Sequence, residues 1–539
     1  MRIRHIMGSL LSLLLVLATS QAYAQDAVVK KIIEEGTTNN LTQEHLHILT
    51  NRIGGRPIGS DAYNAAVAWT ASEFRKWGLE VSIEEAGVLP VGFSRGPWFG
   101  KLYGGTLPNG EGVNLHFATP SYTSGTRGLQ RGHVLIEPKT QAEFDRMKGS
   151  LKGAWVLVTG TNSGWPIDRS AKADHRRDSL VKANVEIARY NNAVIRRYMS
   201  SPNPSGRDRR RMSFDDYQAE LKDSLKTPAD EPALFYRQMV EAGVLGFIQS
   251  SPVPITALYD KETVFGENSG FDNLPPVPDI KLDEHQYAVI YQMAKERRPI
   301  ELEFDIRNNF RMGPVPYHNV IAKMRGTKYP DQYVMISGHL DSYDVSTGGV
   351  DCGVGVTPTM EAARLLSVAG AKPKRSILFV LFAGEEFGLL GAQAWVKAHE
   401  KELDNISNLF NRDGGPTVAN SVSVTEAMYD DFVKATRYVN LINPDFPFTV
   451  NKAQPRPKPT STGGTDASVF AIRGIPTITL GSADTKGYNF DYREIWHTER
   501  DLYNKSIDEY QEHTSVVQAV IAYELANLDH ILSREGMFK

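Results

Sequence analysis

The chain has 539 residues, 41% hydrophobic and 23% charged, which is enough to bury a large core and too long for a single ordinary domain. A formal net charge of −3 gives no electrostatic case for nucleic acid or an anionic membrane as the main partner. Cys352 is the only cysteine, so no internal disulfide can form, and stability must come from the core and from any bound metal.

At the N-terminus, Arg2 and Arg4 precede an apolar run from Leu10 to Ala18 and then Ala22-Tyr23-Ala24, the pattern of a secretory signal peptide spanning 1–24. The run is too short to span a membrane comfortably, and no later segment approaches about 18 uninterrupted apolar residues. The expectation is an exported chain, secreted or periplasmic after cleavage near Ala24, with no membrane partner.

From Leu41 to Glu84, apolar residues at spacings of three and four (Leu46, Leu49, Ile53; Ala65, Ala68, Trp69, Phe74, Trp77) predict two helices. The turn Gly54-Gly55-Arg56-Pro57-Ile58-Gly59-Ser60 joins them, and Gly78-Leu79 ends the second. Residues 25–109 thus read as the first part of the main domain.

Between about 110 and 310 the pattern changes to short β-type runs, among them His133 to Ile136, Ala154 to Val158, Val244 to Ile248 and Ile300 to Phe304. This predicts a mainly β insert. Within it, Asp168 to Lys226 is polar, helical and Arg-rich, including Arg209-Arg210-Arg211; its many acids and few aromatics favour a solvated helical excursion over a nucleic-acid-binding arm.

After Pro314, strands alternate with helices. Strands are predicted at Asn319 to Met324, Tyr333 to Ser337, Ser376 to Phe382, Ile406 to Asn411 and Thr477 to Gly481. Helices are predicted at Thr357 to Val368, Glu386 to Leu403, Asp430 to Leu441 and Ile507 to Leu532. The expectation for 311–539 is an α/β domain, a layered sheet flanked by helices, with its site at the carboxyl ends of the strands.

Chemistry-bearing residues fall at those ends. Gly338-His339-Leu340-Asp341 follows one strand and leads through a glycine-rich turn to Asp351, offering an imidazole, an orienting carboxylate and a second ligand. Glu385-Glu386 follows the next and is expected to open a helix, so that one carboxylate binds metal while its neighbour faces a water. Asp413 follows a third strand, and His497 lies in an aromatic loop. Alone, each is as readily an acidic helix start, a turn aspartate or an incidental histidine. Together, His339, Asp351, Glu386, Asp413 and His497 can fill two neighbouring metal positions. If Asp351 bridges, one ion takes His339, Asp351 and Asp413 and the other Asp351, Glu386 and His497. Nitrogen and carboxylate donors suit zinc, with manganese or cobalt as substitutes.

These motifs, with Gly464-Thr465-Asp466, His497-Thr498 and the Gly55–Ser60 turn, resemble the co-catalytic zinc exopeptidases, the family of the bacterial leucyl aminopeptidases and plasma glutamate carboxypeptidase. The resemblance covers Leu41 to Gly87 and Val315 to Leu532. In the insert, Lys152 to Val158, Glu241 to Phe247 and Pro276 to Ile280 resemble a protease-associated domain, which in relatives shapes or covers the active-site entrance.

The resemblance implies two zinc ions per chain, short peptide substrates and a homodimer. It implies that Glu385 is the general base and that Asp341 hydrogen-bonds the His339 ring. It also implies exopeptidase activity of the carboxypeptidase or dipeptidase type, with an aminopeptidase as the near alternative. On the same fold, a non-catalytic binding protein or a one-metal acyltransferase of the glutaminyl cyclase type are alternatives of another class. One departure stands out: relatives carry Asp or Asn after the bridging aspartate, often across a cis peptide, where this chain has Cys352.

Overall fold

The computed structural model describes residues 25–104, 112–200, 221–222, 224–266 and 269–539. The expected signal peptide and the Arg209–Arg211 run lie outside them. Among the described residues, no helix is long and apolar enough to cross a membrane.

The chain divides into two compact units, one ending at Ser94 and resuming over Phe310–Lys539, the other Arg95–Asn309. Strand β1 (Glu80–Ser94) belongs to the first. Strands β2 (Trp98–Gly104), β3 (Val113–Asn114), β4 (Phe117–Ala118), β5 (Gln130–Ile136), β6 (Trp155–Thr161), β7 (Gly246–Ser251), β8 (Asp279–Asp283) and β9 (Ile300–Ile306) build the second. Strands β10 (Asn309–Met324), β11 (Tyr329–His339), β12 (Arg375–Phe382), β13 (Ile406–Asn411), β14 (Val418–Val424), β15 (Thr449–Lys452) and β16 (Leu480–Ala483) return to the first.

The main sheet of the first unit has the order β1-β10-β12-β11-β13. Strand β11 runs parallel to both β12 and β13, while β10 is antiparallel to β12. Every residue of β12 and β13 is buried, as expected of strands covered on both faces; Ile377 to Phe382 is apolar throughout, while β13 also buries Ser407, Asn408 and Asn411. Met335, Leu378, Val380 and Phe382 pack with Ala392, Trp395 and Val396 of the helix Leu390–Ala398 and with Phe470. The alternate residues point the other way, where Phe379 stacks on Phe74 of the helix Asp61–Lys76 at 6.3 Å. The helices Gly353–Val368 and Asp508–Ala526 also pack against this sheet, the latter buried along nearly its whole length. Each large apolar side chain so buried contributes about 1.5–3 kcal/mol.

The second unit holds an eight-stranded sheet, β3-β2-β9-β5-β6-β7-β8-β4. It is less purely β than the sequence pattern suggests: neighbouring strands from β5 to β8 pair in parallel, with the helices Gln141–Met147 and Tyr236–Glu241 in their connections. It also begins earlier than 110, because β2 pairs along its whole length with β9. The polar stretch after Asp168 forms the helix Ala171–Ser200, tied to the chain by Arg176–Glu231 and Arg237–Asp178 ion pairs.

Three expectations change in the first unit. The helix expected from Glu386 begins only at Leu390, after a turn in which Leu389 takes a left-handed backbone (φ 62°), and it gives way at Glu400 to a 3-10 segment. The helix expected over Asp430 to Leu441 is instead Glu426–Ala435 followed by a short 3-10 turn. The strand expected at Thr477 to Gly481 becomes a single bridge from Thr477 to Leu409, followed by β16 in a small separate sheet with β14 and β15.

Candidate metal centre

Parallel pairing aligns three strand ends. His339 lies opposite Phe382, and Ser337 opposite Asn411, so the residues that follow β12 and β13 emerge beside the end of β11. Glycine permits the close packing here. A Cβ on Gly338 would lie 2.8 Å from the backbone of Gly355, so strand and helix start could not approach as they do.

The loop after β11 is braced from the N-terminal turn. Arg56, wholly buried, donates to the carbonyls of Leu340, Gly54, Thr347 and Gly348, and Ser342 Oγ accepts from the Arg56 N–H. Burial without a carboxylate partner in hydrogen-bond contact lowers the Arg56 pKa to about 10. Asp501 accepts from the N–H groups of Val350 (2.5 Å) and Asp351 (3.2 Å), fixing the far end of the loop. The loop after β12 is clamped by buried Asn319, which accepts from Ala383 N–H and donates to the Gly391 carbonyl, both at 2.9 Å.

These supports bring the five predicted ligands into one cluster. His339 Nε2 lies 3.1 Å from Asp351 Oδ1 and 3.3 Å from Asp413 Oδ1. His497 Nε2 lies 3.0 Å from Glu386 Oε2 and 3.6 Å from Asp351 Oδ2. The two oxygens of Asp351 therefore face the two histidines separately, while donor atoms of His339, Asp351 and Glu386 also lie within 4.8 Å of one another. The His497 ring is held between Tyr343 (4.4 Å) and Trp496 (4.1 Å), on a left-handed backbone (φ 58°). The peptide between Asp351 and Cys352 is cis.

Asp341 sits differently from expectation. The His339 ring donates from Nδ1 to the main-chain carbonyl of Asp341 at 3.0 Å, while the Asp341 carboxylate is 3.7 Å away, beyond hydrogen-bond range. That carboxylate accepts instead from the N–H groups of Glu385 (3.1 Å) and Glu386 (3.2 Å). Because a carbonyl can only accept, the Nδ1 proton is fixed and Nε2 is turned toward the acids.

The donor set fits a cation. Burial, opposed by His339 and reinforced by Asp413, Glu386 and Asp341, pushes Glu385 up to about 9. Asp466, wholly buried, has no hydrogen-bond partner on either carboxylate oxygen; burial and then Glu385 hold its pKa well above the carboxylate range. Asp501 is raised to about 7, by burial and then by Asp351. Among the described residues, no lysine or arginine side chain makes a hydrogen bond to Asp351, Asp413 or Asp466, and a cation would offset the acids that converge on the two imidazoles. His339, Asp351, Glu386, Asp413 and His497 could hold it.

Sequence reasoning named the five clustered candidates and missed most of the residues that support them. Asp501 follows His497 by four residues in a loop, with no local signal. The bracing role of Arg56 depends on carbonyls nearly 300 positions away, and Asp466 was visible only as part of a motif.

Residues 319–521 match the sequence profile described as Peptidase family M28. Carboxypeptidase Q of Mus musculus is 26% identical over 321 residues, covering 57% of this chain and 63% of that protein. A probable zinc metalloprotease of Pyrenophora teres is 37% identical over 108 residues, 19% of this chain and 23% of that protein. The matched region spans 60% of the Xenopus laevis carboxypeptidase Q and 63% of the mouse protein. The solved structure of a peptidase M28 precursor from Shewanella amazonensis superposes with a TM-score of 0.54 at 20% identity, covering 95% of this chain and 98% of that one, and so shares the fold. Over residues 319–521 the chain is thus similar to Peptidase family M28, and it shares its fold with the solved M28 precursor.

Proposed function

We propose that the chain is a secreted, zinc-dependent exopeptidase that hydrolyses short peptides, of the carboxypeptidase or dipeptidase type, and that it holds two ions. The observation that carries the two-ion reading is Asp351, with Oδ1 toward His339 and Oδ2 toward His497. His339, Asp351 and Asp413 would hold one ion, and Asp351, Glu386 and His497 the other.

Bound zinc supplies Lewis acidity, lowering the pKa of water and polarising a carbonyl. Glu385 takes the proton of the attacking water and passes it to the leaving amine. Its main-chain N–H is held by Asp341, which keeps the glutamate pair at the end of β12. Asp501 holds the main chain at Asp351. The carboxypeptidase type follows the names of the mouse and frog relatives. We assign the Arg95–Asn309 unit as a protease-associated domain; its resembling segments lie on or lead into the adjacent parallel strands β6, β7 and β8.

A metal assay paired with free and end-blocked dipeptides tests this. The expected result is two zinc ions per chain, cleavage of N-blocked dipeptides and none of C-blocked ones. Hydrolysis stopped only by the N-terminal block would make the chain an aminopeptidase. One ion per chain would favour the acyltransferase reading, and two ions without turnover a binding protein.

A further inference from the structure

Cys352 lies directly after the bridging aspartate and is wholly buried. Its Sγ, a ring nitrogen of His339 and a carboxylate oxygen of Asp413 all lie within 4.8 Å of one another. Donors on one tetrahedral zinc, at bonds of about 2.0–2.3 Å, are roughly 3.3–3.8 Å apart, so an ion could gather all three with small side-chain rotations. The hydrogen bond from Sγ is to the Arg412 carbonyl at 3.3 Å, a weak one to give up. The thiol cannot swing away easily, because Gly355 closes its pocket so tightly that a Cβ there would lie 2.3 Å from Sγ.

Asp466 is a second buried acid under the influence of His339 and Asp413. Its two buried carboxylate oxygens have no hydrogen-bond partner, and the charged groups it faces are Glu385, His339, Asp341 and Asp413.

We propose that Cys352 is a thiolate ligand of the ion held by His339 and Asp413, which gives that position a mixed nitrogen, oxygen and sulfur donor set. The proposal rests on the two-ion reading above. On binding, the Sγ–H bond breaks, an Sγ–metal bond forms and the proton leaves to solvent, with no change of oxidation state; the Arg412 carbonyl loses its thiol donor. A soft donor makes this position favour zinc or cadmium over manganese and magnesium relative to the thiol-free one. Metal uptake also releases one proton more than an all-carboxylate and imidazole site would.

The test is cobalt(II) titrated into the full metal-free chain without added thiol. Because the chain has one cysteine, a thiolate-to-cobalt charge-transfer band in the near ultraviolet can come only from Cys352. The expected result is that band alongside the visible cobalt bands in the native chain, and its loss in Cys352→Ser with the visible bands kept. Visible bands without charge transfer in the native chain would overturn the thiolate ligand and leave the carboxylate and imidazole site standing. No cobalt uptake by the native chain would overturn both. The native spectrum decides the matter even if the serine variant does not fold.

Discussion

The carboxylate of Asp341 accepts hydrogen bonds from the main-chain N–H groups of Glu385 and Glu386, at 3.1 and 3.2 Å. A residue two positions beyond a proposed metal ligand on one strand thus positions the proposed base and a further proposed ligand after the next.

This relationship separates two variants. Glu385→Ala should keep metal bound and lower kcat by at least about 100-fold, as expected for loss of a general base. Asp341→Ala leaves two part-buried N–H groups without their acceptor, each costing at most about 1–3 kcal/mol. It should lower both kcat and thermal stability, whereas Glu385→Ala should spare stability. Equal melting temperatures for native protein and Asp341→Ala would contradict the bracing role.

Asp413→Ala should weaken metal retention. After dialysis against a weak chelator, the variant is expected to keep about one ion where the native chain keeps two, measured by elemental analysis. Unchanged metal content would remove Asp413 from the ligand set.

His399 provides a pH signature away from the site. Its Nε2 lies 3.1 Å from Glu84 and its Nδ1 3.1 Å from Glu402, while its ring stacks on Trp395 at 4.4 Å. The hydrogen bond to Glu84 and, against burial, that to Glu402 raise its pKa to about 9. A raised folded-state pKa gives stability that is fully present below the unfolded value of about 6.5 and is lost as pH rises through about 9. The melting-temperature gap between native protein and His399→Gln should therefore be largest near pH 6 and close by about pH 10.

His513 has the opposite sign. It is buried in the helix Asp508–Ala526, neither ring nitrogen has a hydrogen-bond partner, and burial lowers its pKa to about 4. The unfolded chain then binds the proton more readily, so stability falls as pH drops from about 6.5 to about 4, by on the order of 3 kcal/mol. His513→Leu should flatten that acid limb in a pH series of thermal melts.

Much of the fold was legible in the chain because strands covered on both faces carry short apolar runs, as Ile377 to Phe382 does. Ile406–Asn411 was read to the residue, and Arg375–Phe382 to within one. The Glu385–Glu386 turn was misread as a helix start. Acidic residues after a strand do favour a helix N-terminus, but here Gly388 (φ 105°) and Leu389 (φ 62°) take left-handed backbones and the helix begins only at Leu390. The insert boundary was misplaced because β2 is defined by its pairing with β9, about 200 positions away, and carries no local mark.

By itself the sequence determined which residues could bind metal. Donor chemistry belongs to side chains, and the ends of apolar strands mark where a parallel sheet presents them. Only the tertiary structure decided how those donors are held. The two faces of Asp351, the carbonyl that fixes the His339 tautomer, the brace from Arg56 and the approach of Cys352 to His339 and Asp413 all depend on contacts between distant segments. Such contacts are set by strand register and packing, which no local spacing encodes.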